Sequence, residues 1–112
     1  MATARIRAVT EYVEEHFDSG VTLTAAARRV GLSPSRLSHL FADETGQTFK
    51  AFVETTRMQR AAEMLQRTTF SIKQIAGMVG FENPFYFSLR FKAWSTFSPT
   101  DFRRHATQHL RK

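Results

Sequence analysis

One pattern occurs twice in this chain of 112 residues and limits its possible folds more than any other feature. Residues 23–41 read LTAAARRVGLSPSRLSHLF, and residues 72–91 read IKQIAGMVGFENPFYFSLRF. Both copies contain an alanine, a Val-Gly pair three residues later, and then proline, serine and phenylalanine in matching order, with one extra residue in the second copy. Each copy predicts a short helix, a glycine-containing turn and a second helix, which is the helix-turn-helix arrangement. One copy is a weak signal, but two in register are a strong one.

The remaining segments also have helical periodicity. Ile6, Val9, Val13 and Phe17 form one apolar stripe of a first helix. Alternating strand patterns and Asn-Gly hairpin turns do not occur in the sequence. We therefore predict an all-α fold of about seven helices, with two helix-turn-helix subdomains joined by a long connecting helix. The predicted helices cover about residues 5–17, 23–30, 34–45, 49–67, 72–79, 84–94 and 99–110.

Composition excludes several classes of protein. The chain has no cysteine, which excludes disulfide scaffolds, thiolate zinc sites, iron–sulfur clusters and cysteine nucleophiles. Its four histidines lack zinc-site spacing apart from one pair, His105 and His109, so we predict no metal site and no cofactor. No stretch approaches the roughly 18 apolar residues of a membrane span, and the first residues do not resemble a secretory signal. We expect a soluble, cytoplasmic domain.

The charge is positive and unevenly distributed. The formal net charge is +6, and from residue 57 onward ten Lys and Arg residues outnumber three acidic residues. Such a surplus attracts polyanions, of which nucleic acid is the commonest. A solvated basic surface that only keeps the chain soluble is the alternative explanation, and charge alone does not distinguish the two.

The second helix of the first copy has an apolar face and a polar one. Its inward stripe consists of large apolar residues: Leu37, Leu40 and Phe41. The opposite face carries small or polar residues: Ser35, Ser38, His39 and Ala42. Such side chains let a helix lie deep in a major groove, where Ser and His donate to base edges, and the flanking Arg36 can reach a base or a phosphate. A solvent-exposed histidine without a role remains the alternative for His39.

The second helix of the second copy differs in chemistry. Its inward face is aromatic: Phe87, Phe91 and Trp94. Its outward face carries Phe85, Ser88, Leu89 and Lys92. The two apolar members cannot read hydrogen-bond patterns, although they can contact a thymine methyl group. Asn83 can pair with adenine or cap the helix, and Arg90 suits a phosphate contact. We expect the first copy to supply most hydrogen-bond specificity, and the second to add affinity and apolar contacts.

The connecting helix sets the distance between the two motifs. About 19 residues at roughly 1.5 Å per residue span about 28 Å. One turn of duplex is about 34 Å, so two reading helices at the ends of such a rod could enter successive major grooves on one face of the DNA. A continuous helix is costly to bend, and we expect the DNA to bend instead.

The sequence resembles the DNA-binding domain of the AraC/XylS family of bacterial transcription regulators. The matching segments are LSPSRLSHLF (32–41), RMQRAAEML (57–65), SIKQIAGMVGF (71–81), YFSLRFK (86–92) and SPTDFRR (98–104). The resemblance covers about residues 5–105. It implies helix-turn-helix subdomains at about 24–46 and 72–95, a connecting helix at about 49–67 and a basic tail at 106–112.

The resemblance also implies which residues contact DNA. Base-reading positions fall on Ser35, Arg36, Ser38 and His39 in the first motif, and on Asn83, Pro84, Phe85, Ser88 and Leu89 in the second. Further candidates for phosphate contacts are Thr22, Ser33, Thr48, Lys50, Lys73, Tyr86, Arg90 and Lys92.

The sequence departs from the family pattern in three places. Leu89 stands where many members have Arg, and Pro84 and Phe85 occupy positions that are often polar. The departure at Leu89 and the one at Pro84 and Phe85 weaken the expectation of base reading by the second motif. Thr96 replaces the glycine that is common before the last helix, so we expect a less regular turn there.

The resemblance implies a promoter-binding regulator, commonly an activator that contacts RNA polymerase. Most members carry a separate effector-binding or dimerisation domain, which this sequence lacks, so we expect a fragment of a longer regulator rather than a short monomeric member. Some methyl-transfer repair enzymes carry a similar domain, but they need cysteine acceptors, and we predict no enzymatic activity. The remaining alternative is a helical protein-interaction module with only non-specific affinity for DNA.

Overall fold

A computed structural model describes the backbone of residues 3–110 and the side chains of residues 3–106. Over this range the chain forms seven α-helices and no strand, which confirms the predicted fold class. The helices are α1 (Ala4–His16), α2 (Leu23–Arg29), α3 (Pro34–Thr45), α4 (Phe49–Arg67), α5 (Ile72–Met78), α6 (Pro84–Ser95) and α7 (Pro99–Leu110). Among the described residues, no helix combines the length and the apolar character needed to cross a membrane.

The chain divides into two compact units, and the boundary between them falls inside α4. Unit 1 is Met1–Thr56 and unit 2 is Arg57–Lys112. Unit 1 therefore holds the first helix-turn-helix motif, α2 and α3, and unit 2 holds the second, α5 and α6.

The core of unit 1 is built from one face of each of its helices. Its buried residues are Ile6, Val9 and Val13 of α1, Ala26 and Ala27 of α2, Leu37 and Phe41 of α3, and Phe49 and Val53 of α4. The alanines let α2 pack closely, and the fully buried ring of Phe41 fills the space that remains. Phe41 meets Phe52 of α4 edge to face, with 5.4 Å between the ring centroids.

Unit 2 repeats this packing with different side chains. Met58, Ala61 and Leu65 are buried on α4 at the spacing of the three buried residues of α1. Ile75 and Ala76 are buried on α5, and Phe87 and Phe91 on α6. Phe91 meets Phe102 of α7 edge to face at 5.3 Å, as Phe41 meets Phe52. The repeat therefore extends beyond the helix-turn-helix motifs to the helices that flank them.

The inward face of α6 does not include every aromatic residue that the sequence pattern places there. Trp94 contacts Phe91, with 5.7 Å between the ring centroids, but it is 40% exposed, so its assignment to the inward face is wrong. It lies in the last turn of α6, where the ring covers the edge of the core instead of entering it. The sequence pattern also predicts Leu110 on the inward face of the last helix, but its side chain lies outside the described residues, as do most side chains of the expected tail at 106–112.

The turns within the two motifs have the same construction. Gly31 and Gly80 have positive φ angles of 71° and 98°, a conformation that side chains with a Cβ adopt at a cost. The following residue returns a backbone hydrogen bond to the buried alanine of the first helix: Leu32 N–H to Ala27 O at 3.0 Å, and Phe81 N–H to Ala76 O at 2.8 Å. This bond fixes where the second helix begins.

The helices α3 and α6 also end in the same way, although their last residues differ. Gly46 (φ 79°, ψ 6°) and Thr96 (φ 73°, ψ −9°) are both left-handed, and both donate their N–H to the carbonyl four residues earlier. The expectation of a less regular turn at Thr96 is therefore wrong. The β-branched residue adopts the glycine geometry, which costs about 1–2 kcal/mol in this conformation.

We expect the substitution Thr96→Gly to stabilise unit 2 by about 0.5–1 kcal/mol, because relief of this strain exceeds the extra entropy of an unfolded glycine. The reciprocal Gly46→Thr should destabilise unit 1 by about 1 kcal/mol. A Cβ at Gly46 would meet no atom within 4 Å, so its cost comes from the backbone alone. Denaturant unfolding measures the change in the free energy of unfolding for both variants. Changes of the same sign would contradict the backbone strain assigned to Thr96.

We expect Phe41→Ala to destabilise the fold by about 3–5 kcal/mol, because the ring is fully buried and leaves a cavity. Phe85→Ala is the matched control, since its ring is 85% exposed and should change the free energy of unfolding by less than about 0.5 kcal/mol. Similar losses for the two variants would contradict the assignment of Phe41 to the core.

Candidate nucleic-acid interface

The exposed face of α3 brings the four candidate residues of the first motif together. The side chain of Ser33 caps the helix by accepting the N–H of Arg36 at 3.1 Å, and Pro34 follows as its first residue. Ser35, Arg36, Ser38 and His39 then lie exposed on the first turns of α3. The inward side of the same turns is held by Leu37 and Phe41, so the polar face is presented on a rigid element.

His39 is oriented by a hydrogen bond within its own helix. Its Nδ1 lies 2.8 Å from the backbone carbonyl oxygen of Ser35. Because a carbonyl oxygen only accepts, Nδ1 must carry the proton, and Nε2 of the neutral ring is then an acceptor. The expectation that His39 donates to a base edge holds only for the protonated ring. The neutral ring instead suits an amino group, which adenine and cytosine present in the major groove.

One residue beside this face escaped the sequence analysis. Asp43 is exposed one turn after His39 and lines the same shallow groove as Ser35 and Arg36. Its position four residues after His39 is the signal that could have found it. Its carboxylate repels phosphate, which favours the N-terminal half of α3 as the half that approaches a nucleic acid.

The exposed face of α6 is apolar. Phe85 and Leu89 are 85% and 66% exposed, and Tyr86 is 53% exposed. Ser88 and Pro84 are only partly accessible. By the register of the repeat, Phe85 and Leu89 occupy the positions of Ser35 and His39. The two motifs therefore present the same positions with different chemistry.

Asn83 caps α6. Its side-chain oxygen accepts the backbone N–H groups of Phe85 and Tyr86 at 2.8 and 3.1 Å. Of the two roles considered for this residue, the helix cap is the one observed. A two-bond contact with adenine uses both the oxygen and the amide group, so it would require the cap to be given up. The side-chain amide N–H groups remain as donors.

The candidate phosphate contacts fall into three groups. Thr22, Ser33 and Thr48 are exposed hydroxyl residues whose oxygens each accept one backbone N–H at 3.1 Å, which leaves the hydroxyl proton as a donor. The lysine candidates are all exposed: Lys50, Lys73 and Lys92. Tyr86 lies against Phe81 with 6.1 Å between the ring centroids, and Arg90 is half-buried.

Comparisons with known proteins agree with this arrangement. A family model described as a helix-turn-helix domain matches residues 26–105. The arabinose operon regulatory protein of Escherichia coli K12 is 37% identical over 100 residues, which cover 88% of this chain and 34% of that protein. The chain spans about a third of the length of the curated relatives that it matches first.

Solved structures of other proteins have the same fold as this chain. The C-terminal domain of AraT, a response regulator from Geobacillus stearothermophilus, is 34% identical with a TM-score of 0.88, covering 92% of this chain and 86% of that one. The DNA-binding domain of AdpA, solved with a target DNA, has a TM-score of 0.90 over 98% of this chain and 99% of that one. At 21% identity, this second likeness is one of fold.

We expect His39→Ala to lower the affinity for a preferred duplex by about 1–3 kcal/mol and the affinity for random duplex much less, because a lost base contact affects only the sequence that it reads. Titration of both duplexes measures the ratio of the affinity for the preferred duplex to the affinity for random duplex. Lys92→Ala is the control: it should weaken binding to both duplexes alike and reduce the salt slope by about one. An unchanged ratio for His39→Ala would contradict the role assigned to this residue.

Proposed function

The chain belongs to the AraC/XylS family of transcription regulators as their helix-turn-helix DNA-binding domain, and from this premise we propose that it reads a specific sequence of double-stranded promoter DNA. In this proposal α3 and α6 are the two recognition helices, and they bind successive major grooves.

The exposed polar stripe of α3 carries the proposal. Two small hydroxyl residues, Ser35 and Ser38, allow close approach to base edges, while Arg36 and His39 extend beyond them. His39 has a fixed ring orientation through its bond to Ser35, so less rotational freedom is lost when it binds. A surface that only attracts phosphate would not need small side chains or an oriented histidine.

The two-groove part of the proposal is supported by the repeat and by α4. Both units contain the same motif, with equivalent backbone bonds in the turn and at the end of the second helix. The 19 residues of α4 correspond to about 28 Å of helix, which is comparable to one turn of duplex. The capping hydroxyls and exposed lysines would hold the backbone phosphates, and the +6 charge supplies the general attraction.

The relatives suggest the wider role. We propose that the protein containing this domain activates transcription in the bacterial cytoplasm, contacts RNA polymerase and carries a further effector-binding or dimerisation domain. The arabinose operon regulatory protein is about three times longer than the matching region, which supports the further domain. The family is one of DNA-binding regulators and not of enzymes.

A protein-interaction module with only non-specific DNA affinity is the second candidate. The observation that favours it is an exposed apolar area on unit 2, where Phe70 and Met78 are 41% and 42% exposed around a shallow groove with Lys73. This candidate does not account for the polar stripe of α3. We therefore prefer the DNA-reading function.

Selection of bound duplexes from a random pool, followed by titration of the best duplex at two salt concentrations, tests the proposed function. We expect a motif in two parts about one helical turn apart, and affinity that falls as salt rises. Enrichment of one part only would contradict reading by both helices. No enrichment, together with salt-dependent binding to every duplex, would instead support the second candidate.

A further inference from the structure

We infer that α6 selects DNA through the methyl groups of thymine, which Phe85 and Leu89 contact in the major groove. This inference rests on the proposed function and specifies what its second half-site must contain. The recognition of that half-site would then depend on van der Waals contact and on the exclusion of water, whereas the first half-site is read by hydrogen bonds.

Neither Phe85 nor Leu89 belongs to the core of unit 2. The core of unit 2 takes Phe87 and Phe91 from α6, and both are fully buried. Phe85 and Leu89 lie on the other side of the helix, 85% and 66% exposed, four residues apart and therefore on one stripe. Two large apolar side chains with such high solvent exposure indicate a surface that is covered in a complex.

The place of Phe85 and Leu89 in the repeat indicates what covers them. In the register of the repeat, Phe85 corresponds to Ser35 and Leu89 to His39, the positions that face DNA in the first motif. The exposed Lys92 follows on the same stripe, three residues after Leu89, and its charge fits a phosphate at the groove edge. The apolar stripe thus occupies the reading position of a DNA-binding motif.

The bases differ in the groups that they present to apolar side chains in the major groove. Phenylalanine and leucine have no donor or acceptor, so pressing them against an amino or carbonyl group of a base removes water without replacing its hydrogen bonds. Thymine alone presents a methyl group in the major groove. The spacing from Phe85 to Leu89 is about 6 Å along the helix axis, and base pairs are about 3.4 Å apart, so the two side chains would meet thymines within two base steps.

The test uses the duplex obtained by selection and replaces the thymines of its second half-site one at a time by deoxyuridine. Deoxyuridine keeps the pairing and every hydrogen-bonding group, and removes only the methyl. We expect one or two positions at which the replacement weakens binding about fourfold, equivalent to about 0.8 kcal/mol for one buried methyl group. Placing 5-methylcytosine opposite guanine there should bind more tightly than unmethylated cytosine.

Variants assign the effect to residues. In Phe85→Ala and Leu89→Ala the penalty for deoxyuridine should disappear at the position that each side chain contacts. Ser35→Ala, which changes the equivalent position of α3, is the matched control and should leave that penalty in place. Because Phe85 and Leu89 are exposed, thermal unfolding should show that both alanine variants are as stable as the parent protein.

The outcomes separate this inference from the proposed function. A two-part site whose second half lacks thymine, or whose thymines tolerate deoxyuridine, overturns methyl reading and leaves the proposed function in place. If the selection yields no site, both the methyl-reading inference and the proposed function are overturned. Alanine variants that bind every duplex as tightly as the parent protein overturn the inference and indicate that the apolar stripe faces a protein partner instead.

Discussion

The edge-to-face contact between a buried phenylalanine of α3 or α6 and the helix that follows it determines where the exposed face of each helix points. Phe41 packs against Phe52, and Phe91 packs against Phe102, at nearly equal centroid distances of 5.4 and 5.3 Å. With these rings fixed inside, the opposite side of each helix has to face solvent. The exposed stripes of α3 and α6 are therefore a consequence of the core.

The same packing explains how one chain of this length supports two motifs. Two helices of 7 and 12 residues are too short to bury a stable core by themselves, so each motif packs against further helices. Unit 1 uses α1 before its motif and the first half of α4 after it, while unit 2 uses the second half of α4 and then α7. One helix thus supplies a flanking element to both units, which is why its buried residues, such as Val53 and Leu65, continue along its length.

Much of this fold is predictable from local signals in the sequence, and the misses have physical causes. The bounds of α4 follow from Thr48 before it and the change of pattern after Arg67, and Ser71 and Gln74, which have the spacing of a capping box, form one at the start of α5. The wider repeat was missed because Met58, Ala61 and Leu65 keep the spacing of α1 but not its residue types. The ring orientation of His39 depends on a backbone carbonyl, and the left-handed geometry at Thr96 on surrounding structure, which residue types do not reveal. The DNA-contact assignments remain predictions.

The hydroxyl caps have a consequence for how these sequences can change. At Thr22, Ser33 and Thr48 one oxygen accepts a backbone N–H at the start of a helix, and the proton on that oxygen can be donated to an anion. If phosphate occupies that place, as the proposed function requires, aspartate would keep the helix start and repel the DNA, and alanine would lose both. Folding and binding then impose a joint demand on one side chain, which serine, threonine and asparagine can meet because each offers both a capping oxygen and a donor, even though the side chain lies in open solvent.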